Sequence, residues 1–110
     1  MKHESVYRVN PYINQYLPEL KALCLKHHVA RLALFGSATR ESFDSAGSDI
    51  DFTVEFQPLP AGSRADAYFD LLEALQQLLQ RPVDLVVTSA ITNPFFEESV
   101  KSSELQLYAA

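Results

Sequence analysis

Cysteine and long apolar runs are both scarce in this sequence of 110 residues. Its single cysteine, Cys24, cannot form a disulfide within the chain, which suits a reducing compartment. No apolar run approaches the roughly 18–20 residues that span a bilayer, and the polar N-terminus lacks the apolar core of a signal peptide. We therefore expect a cytoplasmic protein that does not contact a membrane.

Positive charge is scarce as well. Nine Lys and Arg residues stand against 14 Asp and Glu residues, which gives a net charge of −5. The basic residues are scattered, so we expect no direct binding to nucleic acid, which requires clustered Lys and Arg. The same negative charge repels a free triphosphate, so a nucleotide would have to arrive with a metal ion. The length and the apolar content of 47% predict one globular domain over residues 1–110.

The pattern of apolar and polar residues predicts the order helix, strand, strand, helix, strand, helix. The predicted elements are a helix over 11–28, strands over 30–35 and 49–56, a helix over 63–80, a strand over 83–88 and a helix that begins at 93–94. Pro18 leaves two readings of the first helix, which either kinks at the proline or begins near Leu17. The order predicts an α/β (α+β) fold, a small mixed β-sheet flanked by helices.

Two helices carry further expectations. Ser63 followed by Asp66 resembles a capping box at the start of the second long helix. In the last helix, Phe95, Phe96 and Val100 are expected to face inward, although one or two aromatic residues in this region could belong to a partner surface.

The segment from Phe35 to Val54, FGSATRESFDSAGSDIDFTV, is the most informative in the chain. A predicted buried strand leads into Gly36, a polar turn follows, and the next strand opens with Asp49 and Asp51. Residues two apart on a strand project from the same face, about 6.5–7 Å apart. Two carboxylates this close repel each other unless a proton or a cation lies between them. Oxygen ligands of this kind suit magnesium, which also binds substrate phosphates.

An Asp-x-Asp pair on a strand is by itself usually an exposed polar face. Three neighbouring features favour a site instead. Gly36 and Ser37 follow a buried strand, where a glycine lets the backbone approach a phosphate and a serine offers a hydroxyl. Asp84 opens the predicted strand VDLVV, which could pair beside DIDFTV, and apolar residues in both strands are dense enough to fix the register.

The motif GSATR followed by SDIDFTV resembles the signature of the nucleotidyltransferase superfamily, which has the DNA polymerase β-like fold. The short chain is similar to the minimal branch, the MNT domains, which act as antitoxins of HEPN proteins. The resemblance implies that Asp49, Asp51 and Asp84 are catalytic and hold Mg²⁺, as two ions. The same resemblance implies that residues of the turn bind the triphosphate of ATP, namely Gly36, Ser37 and Arg40.

The implied activity is transfer of AMP from ATP to a tyrosine of a partner HEPN toxin, which would silence the toxin. Two alternatives remain: an antitoxin that acts by contact alone, and a nucleotidyltransferase for small molecules of the aminoglycoside-modifying type. Arg40 also has an alternative role, a surface ion pair with Glu41 or Asp44.

Overall fold

A four-stranded mixed β-sheet forms the centre of the computed structural model, which describes residues 11–36 and 49–110. The helices are α1 Pro11–Asn14, α2 Leu17–Lys26, α3 Arg64–Leu79 and α4 Pro94–Ser103, and a 3₁₀ turn spans Thr88–Ala90. The strands are β1 Val29–Phe35, β2 Ile50–Phe56, β3 Val83–Val87 and β4 Leu105–Ala109. This architecture confirms the predicted fold class.

The strands lie in the order β3-β2-β1-β4. Strand β1 is antiparallel to both β2 and β4, whereas β2 and β3 run parallel. A parallel pair needs a crossover connection, and α3 supplies it. Because β2 and β3 point the same way, their first residues lie at the same end of the sheet.

The first predicted helix is two helices in the structure. α1 ends at Asn14 and α2 begins at Leu17, which places Pro18 in the first turn of α2. A proline is tolerated there because the N–H that it lacks would have no partner within the helix. The second reading of this segment, a helix that starts near Leu17, is therefore confirmed.

Strand β4 was missed at the sequence level, where the chain was predicted to end with a helix. The segment LQLYA is short, and only one of its five residues, Leu107, is buried, so its alternation is weak. The prediction of a capping box at Ser63 is also wrong. α3 does begin at Arg64, but the Ser63 side chain forms no capping hydrogen bond.

Helices α2 and α3 pack on one face of the sheet. Their apolar side chains join those of alternate strand residues in one core cluster, which contains Ile13, Leu20, Cys24, Leu32, Leu34, Ile50, Phe52, Val54, Leu71, Leu75, Leu79 and Leu85. Leu34 belongs to this cluster, so the side chain of its neighbour Phe35 projects from the opposite face.

No helix in the described ranges is long and apolar enough to cross a membrane.

Helix α4 lies on that opposite face. Its Val100 is buried, and the ring of Phe96 meets that of Phe35 edge to face, with 5.9 Å between the centroids. The expectation of an inward-facing side chain is confirmed for Val100 and wrong for Phe95, which is 84% exposed, while Phe96 packs on Phe35 and remains 39% exposed. A helix presents only a narrow stripe to a sheet, and Phe95 lies about 100° around the axis from Phe96.

Candidate active site

The register of the three central strands assembles the site around Asp51. Asp51 lies opposite Phe35 of β1 on one side and opposite Asp84 of β3 on the other. Residues paired across a parallel ladder project from the same face, so the Asp51 and Asp84 carboxylates are neighbours. Asp49 lies two residues before Asp51, just ahead of β2. The predicted pairing of the VDLVV strand beside DIDFTV is therefore confirmed.

The electrostatics of Asp51 reflect this crowding. Burial, together with the negative charges of Asp84 and Asp49, raises the pKa of the Asp51 carboxyl from 3.8 to about 6. Asp49 and Asp84 are exposed, so the carboxylates can be reached from solvent. Among the residues that the structure describes, no Lys, Arg or His forms an ion pair with any of the three. A cation would relieve the repulsion.

Gly36 brings the end of β1 against the same carboxylate. Its φ of +74° lies in the left-handed region, which glycine adopts without strain. A Cβ atom at this position would lie only 2.5 Å from Asp51 Oδ2, so no other residue type fits without displacing the carboxylate. The turn after β1 therefore begins in direct contact with the acidic site, as the sequence motif predicts.

The donor set fits a hard divalent cation. Carboxylate oxygens are the ligands that magnesium prefers, together with water and substrate phosphates. The side chains would have to turn toward such an ion, because in residues 11–36 and 49–110 no three potential ligands are close enough to hold one as they stand. The other two predicted residues, Ser37 and Arg40, lie outside the described residues.

Four polar residues on the same side of the molecule were missed at the sequence level: Arg31, Thr53, Ser103 and Glu104. Only Thr53 carried a signal, because it continues the alternation of Asp49 and Asp51 along β2. Its side chain is buried and donates a hydrogen bond to Glu104. The polar face of β2 is therefore partly covered rather than simply solvated.

A separate cavity of about 810 Å³ lies where β2 and β3 end. Its lining includes Glu55, Arg64, Tyr68 and Thr88, and none of the three aspartates lines it. The cavity is thus at the opposite end of the two strands from the acidic site.

The mixed sheet brings a positive-φ glycine against paired aspartates, and carboxylates are ligands that suit a divalent cation bound to substrate phosphates. The sequence profile of the family described as nucleotidyltransferase domain matches residues 14–106. The chain therefore belongs to the nucleotidyltransferase domain family, and its substrate is a nucleotide. The resemblance predicted from the motif is confirmed.

Individual relatives agree with this assignment. A candidate protein adenylyltransferase of Methanocaldococcus jannaschii is 38% identical over 81 residues, which cover 74% of this chain and 79% of the relative. The structure of a candidate minimal nucleotidyltransferase superposes with a TM-score of 0.63 at 26% identity, over 84% of this chain and 89% of the other.

A third likeness shows the fold alone. The complex of the tri-AMPylated Shewanella oneidensis HEPN toxin with its MNT antitoxin contains a chain that superposes with a TM-score of 0.61 at 21% identity. The match covers 88% of this chain and 72% of that one.

Proposed function

We propose that this nucleotidyltransferase is an antitoxin that transfers AMP from ATP to a tyrosine of a partner HEPN toxin. The observation that carries the proposal is the pairing of Asp51 with Asp84 in register, with Gly36 held against Asp51. The adenylyl group and the protein acceptor are suggested by the relative named as a protein adenylyltransferase and by the complex with an AMPylated toxin. The free thiol of Cys24 suits a reaction in the cytoplasm.

Asp49, Asp51 and Asp84 would hold Mg²⁺, as two ions, together with the triphosphate. Ions in such a site neutralise charge on the attacking and leaving oxygens of an in-line displacement. Gly36 would contact the triphosphate through its backbone, and Ser37 and Arg40 remain predicted phosphate ligands.

The transfer itself exchanges one P–O bond for another. The tyrosine hydroxyl oxygen bonds to the α-phosphorus of ATP, the bond from that phosphorus to the bridging oxygen breaks, and pyrophosphate leaves. The phenolic proton must pass to a nearby base, and Asp84 is suited to orient the hydroxyl and accept its proton because it is exposed beside Asp51. Positioning of the two reactants and neutralisation of charge together contribute most of the acceleration in a reaction of this kind.

The test is to incubate the chain with its HEPN partner, ATP and magnesium, and to weigh the partner by intact-mass spectrometry. We expect one or more added AMP groups with the wild-type chain and none with Asp51→Asn. Glu73→Gln is the matched control, because it removes the same charge from an exposed position on α3, on the other face of the sheet, and should retain transfer.

The competing function is an antitoxin that acts by contact alone. It would neutralise the partner without a gain in mass, and Asp51→Asn would neutralise it equally well. That result would overturn the catalytic proposal.

A further inference from the structure

A charged cluster links the catalytic face of the sheet to the end of α4. The carboxylate of Glu104 accepts two hydrogen bonds from the Arg31 guanidinium, at 3.0 and 2.9 Å. Glu104 Oε2 also accepts a hydrogen bond of 2.8 Å from Thr53 Oγ1. Arg31 Nε donates in turn to Gln106 on β4, at 2.8 Å. Residues from β1 and β2 therefore meet at the Glu104 carboxylate, and Arg31 links them to β4 through Gln106.

This cluster lies directly beside the aspartates. Thr53 is two residues after Asp51 on β2, so both side chains project from the same face. Thr53 is only 1% exposed, and its hydroxyl is committed to Glu104. The catalytic strand is thus attached to Glu104 one side-chain position away from Asp51.

The preceding residue, Ser103, contacts the other half of the site. Its Oγ accepts a hydrogen bond of 3.3 Å from the backbone N–H of Gly36 and donates one of 3.2 Å to the carbonyl of Ser99 in α4. One dipeptide at the end of α4 therefore touches both the phosphate-binding turn and the catalytic strand.

We infer that Ser103 and Glu104 are positioning residues for nucleotidyl transfer, which set the distance between the Gly36 turn and the Asp51 strand. This role rests on the proposed function, because the geometry that Ser103 and Glu104 would control is that of the nucleotidyl transfer site. If position 53 served only to fill the protein interior, valine would fit there as well as threonine. An ion pair such as Arg31–Glu104 is weak evidence for a gain in stability. A network that fixes the placement of the two halves of the site explains why these polar groups are present.

Glu104 adds no net charge beside the aspartates, because its negative charge is paired with the positive charge of Arg31. Hydrogen bonds from Arg31 lower its pKa, so the carboxylate stays ionised and paired. A fourth acidic side chain can therefore stand near the three aspartates without adding to their repulsion.

Paired variants separate positioning from stability. Thr53→Val removes the hydroxyl but keeps the shape and suits a strand, whereas Thr53→Ser keeps the hydroxyl and loses a buried methyl group. Ser103→Ala and Ser103→Thr form the same kind of pair. Glu97→Gln is the control, because it breaks the exposed Glu97–Lys101 ion pair on the same helix without contacting the site.

Four quantities are measured for each variant of the full chain: the Tm, the affinity for α,β-methylene-ATP in the presence of magnesium, and the kcat and the KM for AMP transfer to the partner. We expect Thr53→Val to lower kcat about tenfold with an unchanged or higher Tm, since small misplacements of reacting groups are costly. Ser103→Ala should weaken nucleotide affinity and raise KM about fivefold, the effect of one hydrogen bond. Thr53→Ser and Ser103→Thr should keep wild-type affinity and kinetics, even where the Tm falls.

The inference is wrong if changes in nucleotide affinity, kcat and KM follow changes in the Tm rather than the loss of the hydroxyl group. It is also wrong if Thr53→Val and Ser103→Ala have the same nucleotide affinity and the same kinetics as Glu97→Gln. A wild-type chain that transfers no AMP would instead refute the proposed function. In that event the affinities for α,β-methylene-ATP alone decide the inference: an unchanged affinity in Ser103→Ala overturns it.

Discussion

Asp51 is the residue at which burial and like charge act together. Its pKa of about 6 in the folded chain compares with 3.8 for the ordinary carboxyl. Between these two pH values the unfolded chain releases the proton first, so the stability of the metal-free protein falls as pH rises through this window and stays lower above it. In the absence of a cation, ionised Asp51 therefore destabilises the fold at neutral pH.

Asp51→Asn should remove this loss of stability. We expect the variant to be more stable than the wild type at pH 7.5 in EDTA by about 1 kcal/mol, a modest figure because solvent screens a partly exposed carboxylate. The difference in stability should shrink toward pH 4, where Asp51 in the folded wild type is protonated and, like asparagine, carries no charge. Urea unfolding across this pH range measures it, with Glu73→Gln as the control. A clear loss of stability in Asp51→Asn at pH 7.5 would mean that the carboxylate is structural.

Gly36 and Gly62 form a natural pair for separating backbone strain from contact with the site. Both have positive φ, +74° and +92°, but a Cβ at Gly62 would meet nothing within 4 Å. Alanine at either position should cost about 1 kcal/mol of folding free energy. Only Gly36→Ala should also abolish metal-dependent nucleotide binding, because its methyl group would displace Asp51 Oδ2. Calorimetric titration with magnesium and α,β-methylene-ATP distinguishes the two. Equal nucleotide affinity in both variants would rule out a role for the close approach of Gly36.

At the scale of elements, α4 presents an unusual surface beside the site. Asn93 Oδ1 accepts hydrogen bonds from the backbone N–H groups of Phe95 and Phe96 and fixes the start of the helix. This cap leaves the ring of Phe95 84% exposed next to Phe96, which packs on Phe35 at the end of β1. A protein whose tyrosine reaches Asp84 must approach this part of the catalytic face.

Phe95→Ser should therefore weaken the complex with the proposed HEPN partner about tenfold, the effect of losing an exposed aromatic anchor. Phe69→Ser is the matched control, because Phe69 is 62% exposed but lies on α3, which packs against the opposite face of the sheet. Surface plasmon resonance with immobilised partner measures both affinities. Equal affinities for the two variants would exclude α4 from the interface.

The elements differ in how far the sequence predicts them. Strand β2 and its parallel neighbour β3 were predictable because dense apolar residues fix both strands and their register, and the site aspartates follow from that register. Strand β4 was not predictable, because five residues with one buried side chain give little periodicity. The exposure of Phe95 was missed because a helix of ten residues can turn its apolar stripe several ways until packing decides.

The contacts around Glu104 could not be predicted from local patterns. Arg31 and Glu104 are 73 residues apart, and Thr53 and Glu104 are 51 apart. Their meeting depends on β4 pairing beside β1, and that strand was itself missed. The three aspartates were accessible to prediction because the motif carries two of them and a neighbouring strand the third.

At the scale of the whole molecule, acidity constrains the reaction. The chain has a net charge of −5, and part of the negative charge is concentrated in the paired carboxylates of the site, so ATP alone should be repelled. Nucleotide affinity should therefore depend steeply on the divalent cation. We expect ATP binding to fall at least tenfold when EDTA replaces magnesium. Binding that is equally tight in EDTA would contradict a metal-mediated site.

The central claim is that Asp49, Asp51 and Asp84 hold the cation that binds the triphosphate. The most direct measurement is a crystal structure with manganese and α,β-methylene-ATP, in which anomalous scattering locates the metal. The account predicts anomalous peaks about 2.1 Å from oxygens of Asp51, of the other two aspartates and of the triphosphate. A bound nucleotide with no peak at these carboxylates, or with its metal held elsewhere on the chain, would contradict it.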